Sequence, residues 1–298
     1  MICAIIITNI PSGEFMITNL SIADLHIHSC ASDSTETPAQ IVSELAQKDI
    51  SIASLTDHNT IVNQNEFLSL AKLKGITAIP GVEISSKIGD MVYHILAYGF
   101  NPDDKRIPKY VDPLLLMMRD NGRKIIKKML PDFSNLSLNE YDDFKHDCTL
   151  GGWKFIHYLH FKGITENAID GLSFRKIYNG HLSQCDYPSP QEVISEVHAW
   201  GAYAILAHPR GYFRDKAPDV ESIISLFNKM KSFGIDGIEC YYPKTTTLMT
   251  ETAIKWCSEN NMLVTVGCDS HGNFVPGREI GKIRIPLKSL NIDILFGD

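Results

Sequence analysis

The chain has 298 residues, 44% hydrophobic and 21% charged, the balance of an ordinary globular protein with neither long disorder nor need of a covalent staple. Lys+Arg number 28 against 35 Asp+Glu, a formal charge of −7 that excludes a globally basic clamp for duplex nucleic acid while leaving room for a local basic patch. No run of 18 apolar residues occurs, so no membrane span is expected, and seven irregularly spaced cysteines without a CxxC argue against a disulfide framework or zinc ribbon and for a reducing, cytoplasmic setting.

In chain order, residues 1–15 read as a leader or an extra strand, with Met16 a candidate start, since the first strong pattern follows it. Ser21–His28 reads as a strand. Glu36 and Thr37 lead into a helix from Pro38 to Lys48, with Ile41, Leu45 and Ala46 on its apolar face. Ile50–Asp57 is a second strand, Asn63–Lys74 a helix stopped by Gly75, and Ile76–Ser85 and Met91–Phe100 are strands joined by a turn at Gly89-Asp90. Residues 101–186 have another texture, helices and loops without strand signals, and read as an insertion domain over the active site. Its stretch Asp103–Lys128 has a local charge excess of +4. A second block then alternates helix and strand: Gln191–Trp200, Ala202–Ala207, Asp219–Phe233, Ile235–Tyr241, Thr245–Asn260 and Met262–Cys268. Near-continuous apolar strands separated by helices indicate an α/β fold with a parallel sheet covered on both faces, or a barrel. Residues 16–100 and 187–298 would form that unit.

Residues suited to metal binding gather at the strand ends. Asp24, His26 and His28 alternate on one side of the first strand, Asp57-His58 ends the second, Glu83 the third, and His94 lies inside the fourth. His208 follows the fifth, Glu239 is near the end of the sixth, and Asp269 and His271 follow the last. In α/β sheets and barrels function collects at these carboxyl ends. One such histidine is ordinarily structural, which is the reading for His146, His157, His160, His181 and His198. Buried polar groups are costly unless satisfied, and so many in register make sense when cations satisfy them. A nitrogen–oxygen donor set without thiolate suits Mn²⁺, Zn²⁺ or Fe²⁺.

Taken in order, Asp24-x-His26-x-His28-Ser29, Ser32-Asp33-Ser34, Thr56-Asp57-His58-Asn59-Thr60, Gly81-Val82-Glu83-Ile84-Ser85, the His94 strand, Ala207-His208-Pro209, Gly237-Ile238-Glu239 and Gly267-Cys268-Asp269-Ser270-His271 resemble the PHP (polymerase and histidinol phosphatase) superfamily of metal-dependent phosphoesterases. The order of elements, with an insertion after the fourth strand, is most similar to the branch containing a 3′,5′-nucleoside bisphosphate phosphatase and a 5′-to-3′ exoribonuclease. The resemblance implies a distorted seven-stranded (β/α) barrel and two to three divalent ions, Mn²⁺ foremost. It implies one metal on His26, His28, Glu83 and Asp269, a second sharing Glu83 with His94 and His208, and a third on Asp33, His58 and His271. Ser34 and Cys268 depart from the usual Gly and Ser. Cys268 reads as a small buried strand residue rather than an extra soft donor.

The implied chemistry is in-line attack on a phosphate ester by a hydroxide that a bound ion makes available near neutral pH. Ser29 is the covalent competitor and reads as a loop group. Asp24 and Asp57 read as outer partners that fix histidine tautomers, with direct ligation by Asp24 the alternative. For further substrate phosphates, Arg119, Arg123 and Lys127 recur every four residues on one helical face, although Gly122 weakens that helix. Arg210, next to His208, has a stronger positional claim, and Lys244 and Arg278 are weaker candidates. Tyr212, Phe213, Tyr241 and Tyr242 could stack on a base or pack at the rim. Trp153 and Trp200 read as core. The substrate read is a nucleotide or short oligonucleotide. Competing readings are a small-molecule phosphatase of histidinol-phosphatase type, a non-catalytic metal-bound module, and an amidohydrolase, which lacks its usual strand-end lysine here.

Overall fold

The computed structural model describes residues 17–213 and 217–296. The leader or extra strand expected over residues 1–15 lies outside them. The order is β1 (Ile22–Ile27), α1 (Pro38–Gln47), β2 (Ile52–Leu55), α2 (Gln64–Leu73), β3 (Thr77–Ala78), β4 (Gly81–Ile88), β5 (Met91–Tyr98), α3 (Arg106–Met129), α4 (Leu138–Asp143), α5 (Lys154–Phe161), α6 (Ser173–Ile177), α7 (Pro190–Ala199), β6 (Tyr203–Leu206), α8 (Val220–Ser232), β7 (Gly237–Tyr241), α9 (Thr247–Asn260), β8 (Leu263–Val266) and β9 (Ile285–Pro286). Helix starts follow local chemistry. Thr37 and Gln40 form a capping box on α1 with Pro38 in the first turn, and Ser189 and Glu192 do the same for α7.

The strands form a mixed α/β fold. One sheet has the order β3-β2-β1-β9, the other β4-β5-β6-β7-β8. An all-parallel sheet is not what forms: β5 runs antiparallel to both β4 and β6, and β9 antiparallel to β1, while the remaining pairs are parallel. Apolar alternation carries no information about strand direction, whereas the two-residue link at Gly89-Asp90 dictates a hairpin. The single strand read over Ile76–Ser85 is split at Pro80, which has no N–H to give a ladder. The chain changes sheets there, from β3 to β4. Two isolated parallel bridges, Ile27 with Ser270 and His58 with Glu83, connect the sheets where the metal-type residues lie.

Ala23, Leu25, Leu96, Tyr98, Ile205 and Val266 fill the space between the sheets. Ile41, Leu45 and Phe67 seal α1 and α2 against the outer face of the first sheet. Each such buried side chain contributes about 1.5–3 kcal/mol. Residues 101–187 add α3 to α6 and no strand. Gly122 does not interrupt the 24-residue α3. It lets α5 approach, because a Cβ there would lie 2.9 Å from the Phe155 Cβ. No helix among the described residues is long and apolar enough to cross a membrane.

Candidate metal centre

All nine metal-type side chains come together. Glu83 is their hub. Its Oε2 lies 2.9 Å from His58 Nδ1, 3.2 Å from His28 Nε2 and 3.3 Å from His26 Nε2. Its Oε1 lies 2.8 Å from His94 Nδ1 and 2.9 Å from His208 Nε2. Asp269 Oδ1 is 3.2 Å from His28 Nε2 and 3.5 Å from His26 Nε2. Asp33 Oδ1 is 3.3 Å from His271 Nε2, and its Oδ2 is 3.9 Å from His58 Nε2. The groups able to hold an ion are His26, His28, Glu83 and Asp269; His28, Asp33, His58 and His271; and His58, Glu83 and His94. Relative to the sets implied by the resemblance, His28 and His58 are each close enough to serve two positions.

Strand ends produce this convergence partly through strained backbone. His208 follows β6 at φ +29°, and Asp269 follows β8 at φ +53°, in the left-handed region that non-glycine residues seldom adopt. Such positions cost about 1–3 kcal/mol each and persist where function requires them.

The donors fit divalent ions better than they fit one another. His28 Nδ1, Asp33 Oδ1, His58 Nδ1, Glu83 Oε2 and His94 Nε2 are buried without a hydrogen-bond partner, although charged or imidazole groups surround them. Nε2 of His26 and Nε2 of His28 face each other at 3.1 Å, an arrangement in which at most one carries a proton. Burial alone would push the acids up, yet the His271 and His58 rings hold Asp33 well below the usual carboxylate range. His58 and His94 do so for Glu83, and His26 for Asp269. Burial would push His26 down, yet Glu239 and Glu83 leave it raised. The acids are therefore ionised, and the positive charge they attract is supplied by protons on histidine or by metal.

Outer residues depart from expectation. Glu239 Oε1 accepts from His26 Nδ1 at 2.9 Å, and its Oε2 accepts from the His208 backbone N–H at 2.6 Å. Glu239, rather than Asp24 or Asp57, is the carboxylate that orients a histidine. Asp24 accepts from the backbone N–H groups of Cys268 and Gly281, and Asp57 from Ser29 and Ser32. Both acids thus tie down loops instead of imidazoles, because backbone and serine donors reach them first. Gly267 makes room for the Glu239–His26 pair: a Cβ there would overlap the His26 Cβ and Glu239 Oε1. His271 Nδ1 meets its neighbour's carbonyl, Asp269 O, at 2.8 Å, leaving Nε2 for Asp33. The Tyr212 hydroxyl bridges β5 and β6, accepting from His94 N and donating to Ala207 O, so it is a strut rather than a free stacking face. Cys268 is fully buried, its sulfur accepting from Ile283 N–H. Ser34 takes no left-handed conformation, so glycine is not required there.

The cation candidates separate. Arg119 donates to Ala31 O at 3.1 Å, on the loop that carries Asp33, and lines a cavity of about 310 Å³ with Cys30, Ser32, Cys148 and Trp153. Arg123 is held by Asp142 through two hydrogen bonds of 2.8 Å. Lys127 lines a different cavity with Lys124 and Lys128. Arg210 sits in the turn after His208, within electrostatic reach of Tyr242. Arg278 pairs with Asp269 itself. Arg175 on α6 gave no periodic signal in sequence. Its guanidinium lies 5.2 Å over the Phe155 ring within the field of Asp33, and its Nε is buried without a partner. Trp153 is core and also borders the site, its ring 6.3 Å from that of His58.

Known proteins resemble this chain over most of its length. Residues 24–205 match the PHP domain family. The chain is 34% identical to the 3′,5′-nucleoside bisphosphate phosphatase of Chromobacterium violaceum over 87% of its length and 90% of that protein. It is 29% identical to the 5′-3′ exoribonuclease of Haemophilus influenzae over 83% of its length and 89% of that protein. A solved protein of Bifidobacterium adolescentis, assigned as a metal-dependent phosphoesterase, shares the fold with a TM-score of 0.72 at 21% identity, over 90% of this chain and 93% of that one.

Proposed function

Since the chain belongs to the PHP domain family, we propose that it is a metal-dependent phosphoesterase that hydrolyses phosphate esters of nucleotides or short oligonucleotides. The observation that carries this reading is the convergence of nine His, Asp and Glu side chains on Glu83, with buried donor atoms left unpartnered. The nine are His26, His28, Asp33, His58, Glu83, His94, His208, Asp269 and His271, and they would hold two or three divalent ions, Mn²⁺ first among the candidates. The seven strands β1, β2 and β4 to β8 read as a distorted barrel, supported by the two bridges that connect the sheets.

Bound divalent cations would supply Lewis acidity toward phosphoryl oxygens and lower the pKa of water toward about 7. The chain's own side chains prepare the rest. Glu239 fixes His26 with Nδ1–H outward and the Nε2 lone pair turned to the cluster. Glu83 offers one oxygen to each side of the site. Ser29 is not free for covalent catalysis: its hydroxyl donates to Asp57 Oδ2 at 2.6 Å and accepts from Asn63 at 2.8 Å. Arg278 and Arg210 would hold the reacting phosphate from the rim, and Arg175, whose buried Nε has no partner, a phosphate farther along the substrate, with the exposed Arg119 beside the same loop as a second cation.

The test is release of inorganic phosphate and of mononucleotides by the purified protein with Mn²⁺ from adenosine 3′,5′-bisphosphate and from short RNA, with histidinol phosphate alongside. Turnover of either nucleotide substrate supports the reading. Metal-loaded protein inert toward both overturns it, and preference for histidinol phosphate moves the assignment to the small-molecule branch.

A further inference from the structure

Two cysteines that the phosphoesterase reading does not use face each other across the boundary between the strand-end loops and the helical segment. Cys30 is half-buried, two residues after His28 and three before Asp33, and Cys148 is exposed in the turn just ahead of Trp153. Both line the same cavity of about 310 Å³, and the two thiols lie close enough to influence each other. The two segments are already tied together. The Gly152 N–H donates to Asp33 O at 2.7 Å, and Arg119 reaches Ala31 O. A second close pair gives the contrast. Cys240 and Cys257 have sulfurs 3.9 Å apart but are 1% and 0% exposed, sealed between β7 and α9 where no oxidant reaches them. Proximity alone is thus common to both pairs, and access distinguishes the first.

We propose that Cys30 and Cys148 form a modification site: a thiol pair that a small disulfide oxidant converts to a reversible cystine joining the helical segment to the Asp33 loop. The exposed Cys148 thiolate attacks one sulfur of oxidised glutathione, forming a mixed disulfide and releasing one glutathione thiolate. Cys30, on losing its proton, attacks the Cys148 sulfur and expels the second glutathione. Two protein thiols are oxidised, one glutathione disulfide is reduced to two thiols, and the protons pass to solvent and the leaving thiolates. The sulfurs close to about 2.05 Å, which draws the walls of the shared cavity together and restrains Trp153 beside His58. The cystine also closes a long loop of chain, which raises resistance to unfolding.

The full-length protein is incubated with oxidised glutathione, alkylated, digested without reduction and analysed by mass spectrometry, with free thiols counted in denaturant. The expected result is a peptide linking Cys30 to Cys148, two fewer free thiols, a higher unfolding temperature, and reversal of all three by dithiothreitol. Cys148→Ser protein should form no such link and keep its unfolding temperature on oxidation. Unchanged thiol count, glutathione held stably on Cys148 beside a free Cys30, or cross-linking of either residue to another cysteine each overturns the proposal. Serine at 148 occupies an exposed turn, so that variant is expected to fold; if it does not, Cys30→Ser serves the same comparison.

Discussion

The strand-end cluster and the face of α3 are both dense in charge, yet they are built on opposite terms. In the cluster, nine side chains from separate segments are largely withdrawn from water and leave several donor atoms without a hydrogen-bond partner. On α3, charges recur at regular spacing along one helix, but Arg123 is exposed and taken by Asp142, and Lys124 is taken by Asp120. Exposed charge is cheap to hold and means little by itself, whereas buried charge left without a protein partner marks a ligand's place. Convergence under burial, not charge density, distinguishes the two regions.

Substitution at the hub should do the most damage. Glu83→Gln should lower phosphate release by more than the roughly 100-fold typical of losing an outer partner, and should weaken Mn²⁺ binding in calorimetry. An active Glu83→Gln protein would show that the cluster is ornamental. Glu239→Gln should cost about 10–100-fold in metal affinity, through loss of the His26 orientation. Gly267→Ala should reproduce that loss by crowding the same pair, and destabilise by about 1–3 kcal/mol on top, read by denaturant titration.

Acidity gives a third measure. His26 and His271 are raised in the metal-free protein, so what they contribute to stability is present below the ordinary imidazole value of 6.5 and is lost as pH rises through their raised values. Asp33, Glu83 and Asp269 are lowered, so their contribution is present above the ordinary carboxylate range and is lost as pH falls through their depressed values. Metal-free protein should therefore be most stable between those two sets. Mn²⁺ must displace protons from the histidines, so half-saturation should need more metal at pH 6 than at pH 8. At a hundredfold excess over Kd the ion should add about 2.7 kcal/mol, measured by thermal unfolding with and without chelator. A metal midpoint independent of pH would contradict the protonated state of the empty cluster. The smallest effect is expected outside it: Arg123→Ala should leave turnover and the denaturation midpoint nearly unchanged.

Much of the cluster could be read from sequence because strand alternation and strand ends are local patterns, visible in Asp24-x-His26-x-His28 or in Asp269-x-His271. The role of Glu239 was hidden because its partner, His26, lies 213 positions away, and no spacing rule spans that distance. Asp57 looked like a histidine partner from its neighbour His58, but Ser29 and Ser32 claim it once the loop folds. The direction of β5 was invisible to hydrophobic periodicity, while the position of its turn was not. Arg175 escaped notice because a lone arginine on a five-residue helix has no pattern, and only its burial marks it out.

The left-handed backbone at His208 and Asp269 works like two bent springs aimed at a common point. A sequence optimised only to resist heat would relax both, with glycine or asparagine or by letting the chain turn back earlier. The molecule therefore keeps a reserve of tension at the rim, and an engineer hardening this protein should look for gains almost anywhere else.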